Sequence, residues 1–595
     1  MHDKTDEKQK VDKRDYKKIA LRLLKYLFTE WKLFIVGLTL VILSSVLVLF
    51  GPKLSGAAIA SLESSDLQAI DLHVTSKYAI LMLAAYLLSS LFNYISARVM
   101  VRVSERVVLN MTQQTFDKIV DVPIAYIDTH QAGDLVSRIS YDMDLVSNTL
   151  ANSVITIITS IISVVGSFIM MMTISPYLSL IFIFVLPITI LFTNYRIKKT
   201  RPLFSTRSRK LGEMNGFVEE ILSGQKTIQA YEKEDYFSQE FYKKNSGSID
   251  AYYKADYEAS INFPTMIFIT NASVAIVSII ASMLYLNGLF TLAFLSSFIL
   301  YARQFSFPIN NIAGTFAELQ SSFSAANRIF VLLDQDNEKK DADHAVDLSN
   351  VEGDVKFENV SFGYDDDKMI IKDFNYHAKP GSLTAIVGHT GAGKTTLINL
   401  LMRFYDPQEG DIKIDGHSYK DITRKSQRSA FAMVLQETWL FAGTIRENIA
   451  YGKPDASDEE IRKAAEMANI SSFIDLQEDG YDTLLEEDAE NLSQGQKQLI
   501  TIARAMLLNK PMLILDEATS NVDSRTEIQT QDAMNKLMQG KTSFVIAHRL
   551  STIKNADTIL VLEAGEIVEQ GNHQELLEKK GYYYDLYNSQ FLKEQ

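Results

Sequence analysis

The first 330 residues of this 595-residue chain hold six apolar runs of bilayer-spanning length, and the rest holds none. About 20 mostly apolar residues cross the ~30 Å hydrocarbon core as a helix. No other open structure satisfies its backbone polar groups there, so the six runs constrain the fold more than any other feature. They lie near 33–52, 78–97, 152–174, 177–195, 265–286 and 290–309, the last interrupted by Arg303 and Gln304. The connections alternate in character. Residues 53–76 are short and acidic, and 175–176 and 287–289 are tight turns, whereas 98–150 and 196–262 are long, polar and rich in Arg and Lys. Basic flanks mark the cytoplasmic side. Both termini and both long linkers are therefore expected to be cytoplasmic, in a multi-pass protein of the cell membrane.

At 1.5 Å per residue, each long linker can run out as one helix and return as another. The expected turning points are Val122–Gly133 and Ile221–Tyr236, where a short polar piece with glycine separates helical flanks. Residues 15–28 mix bases with leucines at helical spacing and are expected to lie on the cytoplasmic leaflet. The first ten residues are too charged for the apolar core of a signal peptide. Composition removes whole classes. There is no cysteine, hence no disulfide framework, cysteine-ligated metal or thiol nucleophile. The net charge of −14 argues against a nucleic-acid partner.

Past a charged linker (331–350), residues 351–595 read as a soluble α/β domain. The buried-strand pattern SLTAIVG ends in Gly388-His389-Thr390-Gly391-Ala392-Gly393-Lys394-Thr395-Thr396, which fits G-x-x-x-x-G-K-[ST]. The glycines let backbone N–H groups converge on phosphate oxygens. Lys394 supplies charge to the β/γ-phosphates, and Thr395 offers a hydroxyl to Mg²⁺. The following helix adds its N-terminal dipole. A second apolar run, MLILDE, ends in Asp516, placed to hold Mg²⁺ through water, and Glu517, placed to activate the attacking water. The long separation of Asp516 from Lys394 implies an inserted helical subdomain.

Within that insertion, Asn491-Leu492-Ser493-Gln494-Gly495-Gln496 resembles the signature motif of ATP-binding-cassette (ABC) proteins. The whole chain resembles an exporter-type half-transporter: an all-α six-helix transmembrane domain over 1–330 and an α/β P-loop cassette with a helical subdomain over 351–595. The resemblance implies ATP and Mg²⁺ as cofactors and ATP hydrolysis coupled to transport. It implies an adenine-stacking role for Tyr364, a Q-loop role for Gln436 at Mg²⁺, a D-loop role for Asp523 and a switch role for His548 at the γ-phosphate. Residues 127–144 and 219–234 resemble the segments carrying the two coupling helices. A second cassette must supply the signature loop over each ATP, so the resemblance also implies a partner half-transporter.

The signature departs from the common form, since Gln494 stands where the first glycine of a Gly-Gly pair is usual, and the D-loop reads SNVD. Together with an intact Glu517, these departures resemble one protomer of heterodimeric bacterial multidrug exporters, although a homodimer with two equal sites stays open. The expected activity is export of hydrophobic or amphipathic compounds by alternating access. A lipid flippase shares the architecture, and an ATP-gated channel or regulator is the alternative from another class. Candidate cavity residues are Arg303, Gln304, Asn271, Asn310 and Phe298, because polar groups within spans tend to face pathways. Interhelical hydrogen bonding and aromatic packing explain any one of them equally well.

Overall fold

The computed structural model describes residues 13–62, 72–365, 368–436, 438–486, 489, 491–516, 524–547 and 549–591. By contact the chain forms two compact units, Met1–Asp121 with His130–Gln335, and Val122–Thr129 with Asp336–Gln595.

Among the described residues, six helical segments of the first unit are long and apolar enough to cross a membrane. An amphipathic helix, α1 (Lys13–Leu27), precedes them. It buries Ile19, Leu23 and Leu27 at four-residue spacing and leaves Leu21 and Leu24 exposed. Arg22 fixes it to the end of the unit, donating to Asp334 at 2.6 Å with its guanidinium 4.2 Å from the Phe330 ring centre.

Helices α2 (Trp31–Ala60) and α3 (Leu72–Asp121) pair through small polar residues. The Ser44 hydroxyl donates to the Ser89 carbonyl at 2.9 Å, the Ser89 hydroxyl returns the bond at 3.0 Å, and Ser96 donates to the Gly37 carbonyl at 2.9 Å. Apolar surface gains little by helix contact within lipid, so close approach and hydrogen bonds hold such pairs. A short α4 (Ile124–Asp128) follows, then α5 (Ala132–Ser137) and α6 (Met143–Asn148) with π-helical turns at Arg138–Asp142 and Thr149–Ser153, leading into α7 (Val154–Ile174). The chain returns through α8 (Pro176–Ser223), turns at α9 (Gln225–Ala230), and re-enters through α10 (Glu234–Ser260) and α11 (Asn262–Leu286). Arg196 of α8 is buried where it pairs with Glu258 at 3.0 Å and donates to Asn262 at 2.7 Å.

The last span, α12 (Leu292–Leu333), begins at Thr291, whose hydroxyl accepts from the Phe294 N–H at 3.2 Å. One face of α12 is pinned. Ser297 donates to the Pro52 carbonyl at 2.9 Å and Tyr301 to the Leu49 carbonyl at 2.7 Å. Gly56 of α2 permits this contact, since a Cβ there would lie 1.9 Å from the Ser297 hydroxyl. Further along, Phe298 and Phe305 pack against Phe182, and Arg328 forms a two-pronged pair with buried Asp142. Phe298 is fully buried in this aromatic cluster.

The second unit is built on two main sheets. Strands β1 (Val355–Phe362), β2 (Ile371–Ala378), β4 (Glu409–Ile414) and β5 (His417–Ser418) form an antiparallel sheet in the order β2-β1-β4-β5. The other sheet, with the order β12-β11-β3-β10-β9-β6, contains β3 (Leu383–Val387), β6 (Phe431–Val434), β9 (Met512–Asp516), β10 (Thr542–Ile546), β11 (Thr558–Glu563) and β12 (Glu566–Gly571). Its strands are parallel except at the β12 edge. β3, β9 and β10 are buried nearly throughout, as the continuous apolar runs require. The two-stranded antiparallel sheet of β7 (Gly443–Thr444) with β8 (Leu484–Leu485) belongs to the insertion between β6 and β9, together with α15 (Ile445–Ala450), α16 (Asp458–Met467), α17 (Ser471–Ile474) and α18 (Gln494–Leu508). These helices follow α13 (Lys394–Leu401) and α14 (Arg424–Ser429).

The charged linker is clasped to this unit rather than hanging free. Arg424 donates to Asp341 at 3.0 Å, to the Lys339 carbonyl at 2.7 Å and to Asp406 at 3.0 Å. Arg428 holds Glu338 with two bonds. Arg403 is buried beside them, donating to the Ile422 carbonyl at 2.7 Å.

Candidate functional site

The parallel sheet brings the chemistry to one edge. β10 lies between β3 and β9, pairing Ile546 with Ile386 on one side and with Asp516 on the other. The carboxyl ends of all three strands therefore converge, where open α/β sheets bind ligands. β3 delivers the glycine loop and β9 delivers Asp516. β10 leads towards His548, which lies outside the described residues, as do Glu517 and Asp523.

The loop after β3 needs its glycines. Gly388 has φ 154°, Gly391 85° and Gly393 104°. A Cβ at Gly388 would lie 2.3 Å from the Leu562 carbonyl oxygen, so backbone alone fits there. His389, Thr390 and Gly391 are exposed on the loop, and Ala392 is buried beneath it. α13 starts at Lys394 with Gly393 as its left-handed cap, which leaves the first-turn N–H groups pointing out of the helix. The Lys394 ammonium donates to the carbonyls of Gly388 at 2.7 Å and His389 at 3.1 Å. Burial pulls its pKa below the ordinary lysine value, while the nearby Asp516 carboxylate acts in the opposite direction. A cation and a carboxylate face each other across a loop of N–H donors. That is an arrangement for a polyphosphate carrying a divalent cation. Thr395 is exposed and Thr396 is buried.

Tyr364 sits directly over α13. Its hydroxyl donates to Thr396 at 3.2 Å and accepts from Asn399 at 3.1 Å, and its half-exposed ring meets Tyr405 edge-on with centres 5.0 Å apart. The Tyr405 hydroxyl in turn donates to Asp128 of α4 at 2.6 Å. Burial first, and then the Asp128 carboxylate, push the Tyr405 phenol above its ordinary pKa. Nothing in the sequence pointed to Tyr405, because its partner is 277 residues away.

The signature segment is the start of α18 itself. Ser493 caps the helix in a reciprocal box: its hydroxyl oxygen accepts from the Gln496 N–H at 3.3 Å, and the Gln496 side chain accepts from the Ser493 N–H at 2.9 Å. The cap uses the oxygen lone pair and leaves the Ser493 hydroxyl proton available to an anion. Gln494 occupies the first helical position with ordinary helical backbone, so no glycine is required there. Its side chain turns to donate to Thr438 at 3.2 Å. Gly495 is buried behind it. Gln436 is exposed two residues before Thr438. Arg504 of α18 grips the same segment, donating to the carbonyls of Asn448 at 2.8 Å and Trp439 at 3.2 Å and stacking near Tyr451. The segment Thr438–Trp439 and helix α18 are thus braced together.

The candidate cavity residues differ in exposure. Arg303 and Asn271 are exposed, Gln304 is half-buried, Phe298 is enclosed, and the Asn310 side chain lies outside the described residues.

Comparison with known proteins agrees with this geometry. Residues 34–309 match the family described as ABC transporter transmembrane region, and residues 371–520 match the family described as ABC transporter. An uncharacterised ABC transporter ATP-binding protein of Bacillus subtilis (strain 168), YfiC, is 39% identical over 593 residues, covering 98% of this chain and 96% of the relative. A protein of Mycobacterium bovis named fatty acid ABC transporter ATP-binding/permease protein is 40% identical over 519 residues, covering 87% of this chain and 82% of the relative. An ATP-dependent lipid A-core flippase of Hahella chejuensis is 33% identical over 575 residues, with coverage of 96% and 97%. Among solved structures, a bacterial Atm1-family ABC exporter with ATP bound superposes with a TM-score of 0.75 at 27% identity, covering 98% of this chain and 99% of its own. The six apolar helices, the glycine loop facing Asp516 and the full-length relatives lead to one conclusion: the chain belongs to the ABC transporters, as an exporter-type half-transporter whose membrane domain and ATP-hydrolysing cassette are fused in one polypeptide.

Proposed function

We propose that this chain is one half of a heterodimeric bacterial exporter of hydrophobic and amphipathic compounds, working in the multidrug manner by alternating access. The single observation that carries the ATP-driven part is the cradle formed by Gly388–Gly393, Lys394 and Asp516. ATP would lie on this cradle beside Tyr364, and Thr395, Gln436 and Asp516 would hold Mg²⁺, which would neutralise phosphate charge. Its γ-phosphate meets the partner's signature loop, so ATP binds the closed pair better than the open one. A ligand shifts an equilibrium only by that difference. Closure reaches the membrane helices through residues 122–129 and the α9 turn. Glu517 activates the attacking water, His548 contacts the γ-phosphate, and Asp523 lines the seam. In this reading both termini and the long helical extensions are cytoplasmic.

The heterodimer rests on Gln494. The backbone at this position tolerates the side chain, as its helical conformation and its bond to Thr438 indicate. What remains of the departure is bulk and a polar amide beside Ser493, on the surface that would complete the partner's site. This chain's own glycine loop, Lys394, Asp516 and Glu517 would then pair with a standard signature and hydrolyse. Purified alone, the chain is expected to show weak ATPase activity, rising severalfold when co-purified with the product of a neighbouring half-transporter gene. Robust substrate-stimulated activity from the lone chain would refute the heterodimer and leave a homodimer.

A second reading, lipid export, is favoured by the relatives named fatty acid transporter and lipid A-core flippase. Stimulation of the ATPase by hydrophobic cations as against fatty acids in defined lipid separates the two.

The bond from Tyr405 to Asp128 is expected to carry part of the coupling. Tyr405→Phe keeps the ring against Tyr364 and removes only the hydroxyl. A charge-assisted hydrogen bond contributes about 1.5–3 kcal/mol, and less at an exposed carboxylate such as Asp128. The ratio of substrate-stimulated to basal ATPase should fall about three- to tenfold, and Asp128→Ala should give the same loss without adding to it. Additive losses would mean that the two residues act separately.

A further inference from the structure

The pinned face of α12 leaves the opposite face bare. Leu300, Arg303, Phe307, Asn311, Gly314 and Glu318 are all exposed, at spacings of three or four residues, so they form one stripe along the helix. Ser297, Phe298, Tyr301 and Phe305 on the other side are locked to α2 and α8, which fixes the direction of the stripe. An arginine within the span does not face hydrocarbon, since such a group turns to a water-filled path or a polar ligand.

Arg303 lies twelve residues from the Thr291 cap, about 18 Å along the axis and thus near the bilayer middle. No acid pairs with it among the described residues. The stripe's own acid, Glu318, is about 22 Å further along and accepts from Ser153 at 3.1 Å. In the same turn the Gln304 amide nitrogen is enclosed, and among the described residues it has no hydrogen-bond partner. Phe307, one turn on, offers an exposed ring on the same stripe.

We infer that Arg303 is the headgroup-recognition residue of the transport path, and that the substrate is an amphipath with an anionic head, carboxylate or phosphate, whose aliphatic tail lies along Leu300 and Phe307. The planar guanidinium grips either anion with paired hydrogen bonds. This rests on the export reading and narrows its substrate class.

The test uses the purified transporter, with its partner if one is needed, in phosphatidylcholine nanodiscs. ATPase stimulation, relative to each variant's own basal rate, is titrated with palmitate, palmitoyl lysophosphatidate, hexadecanol, tetraphenylphosphonium and inorganic phosphate. Palmitate and lysophosphatidate should stimulate, whereas hexadecanol and inorganic phosphate should not, since head and tail are both required. Arg303→Gln should raise the half-stimulating concentration of both anions at least tenfold, Arg303→Lys should restore most of it, and Arg303→Glu should shift the preference to tetraphenylphosphonium. Equal stimulation of wild type by hexadecanol, or an unchanged response of Arg303→Gln, overturns the inference. ATP-dependent uptake of tetraphenylphosphonium into inside-out vesicles, indifferent to Arg303, overturns it and leaves the export reading standing. Absence of ATP-dependent uptake of every probe overturns both.

Discussion

Glu517→Gln should slow steady-state ATP turnover by about 10²–10⁴-fold, the range a positioned general base contributes, while ATP binding persists. The substitution keeps size and hydrogen bonding and removes only the capacity to take a proton. Its effect is expected to be this large because Glu517 directly follows β9, whose last residue Asp516 acts on Lys394 and whose register with β10 brings both strand ends together. ATPase rate and nucleotide retention, measured side by side, check it. A variant that retains turnover within about threefold would remove Glu517 from its role, and a variant that loses binding as well would assign it to the cradle.

The second large effect concerns the clasp on the linker. Arg424 is nearly buried and satisfies two carboxylates and a carbonyl at once. Arg424→Ala would leave Asp341 and Asp406 facing one another beside Arg403, without the cation between them. Removing one member of a buried ion pair costs about 3–5 kcal/mol, and the partial exposure of both acids brings the expected cost to about 2–3 kcal/mol. For a cassette of this size each kcal/mol lowers the melting temperature by about 2–4 °C, so a fall of about 4–12 °C is expected in the full-length protein. Lys453→Ala offers the contrast. Its pair with Glu460 is half-exposed on both sides, and its loss should cost under about 1 kcal/mol. Equal shifts in the two variants would mean that the linker clasp contributes no more than a surface pair.

Local chemistry explains which parts could be read before the structure. The glycine loop was legible because Gly388 and Gly393 sit where backbone must curl tightly, and only glycine-rich sequence does that. The spans were legible because hydrocarbon demands long apolar helices, including α12, despite Arg303 and Gln304. The turning points at α4 and α9 fell inside the expected segments, since glycine and polar residues interrupt the helical pattern there. The helix after the glycine loop ends at Leu401, and two residues on Arg403 adopts a left-handed backbone and turns into the linker clasp. What stayed hidden were contacts between distant residues of no special type: Tyr405 with Asp128, Arg424 with Asp341, Gln494 with Thr438. Each depends on tertiary placement, and a tyrosine or arginine carries no mark of its partner. Gln494 is instructive. Read as a sequence, it looked like a defect in a glycine position, yet its backbone is helical and never needed glycine. The burial of Phe298 likewise follows from packing against α8, which no periodicity within α12 distinguishes from a cavity-facing aromatic.

The claim beneath all of this is that ATP binding and hydrolysis at the Lys394 cradle drive movement of an amphipath through the six-helix bundle. Inside-out proteoliposomes carrying the transporter and its partner test it most directly. With Mg·ATP they should accumulate a fluorescent fatty acid or hydrophobic dye against its gradient, and with Lys394→Ala or a non-hydrolysable ATP analogue they should not. Accumulation that persists in the Lys394→Ala protein, or that is absent from a wild-type protein hydrolysing ATP in the same vesicles, would contradict the account.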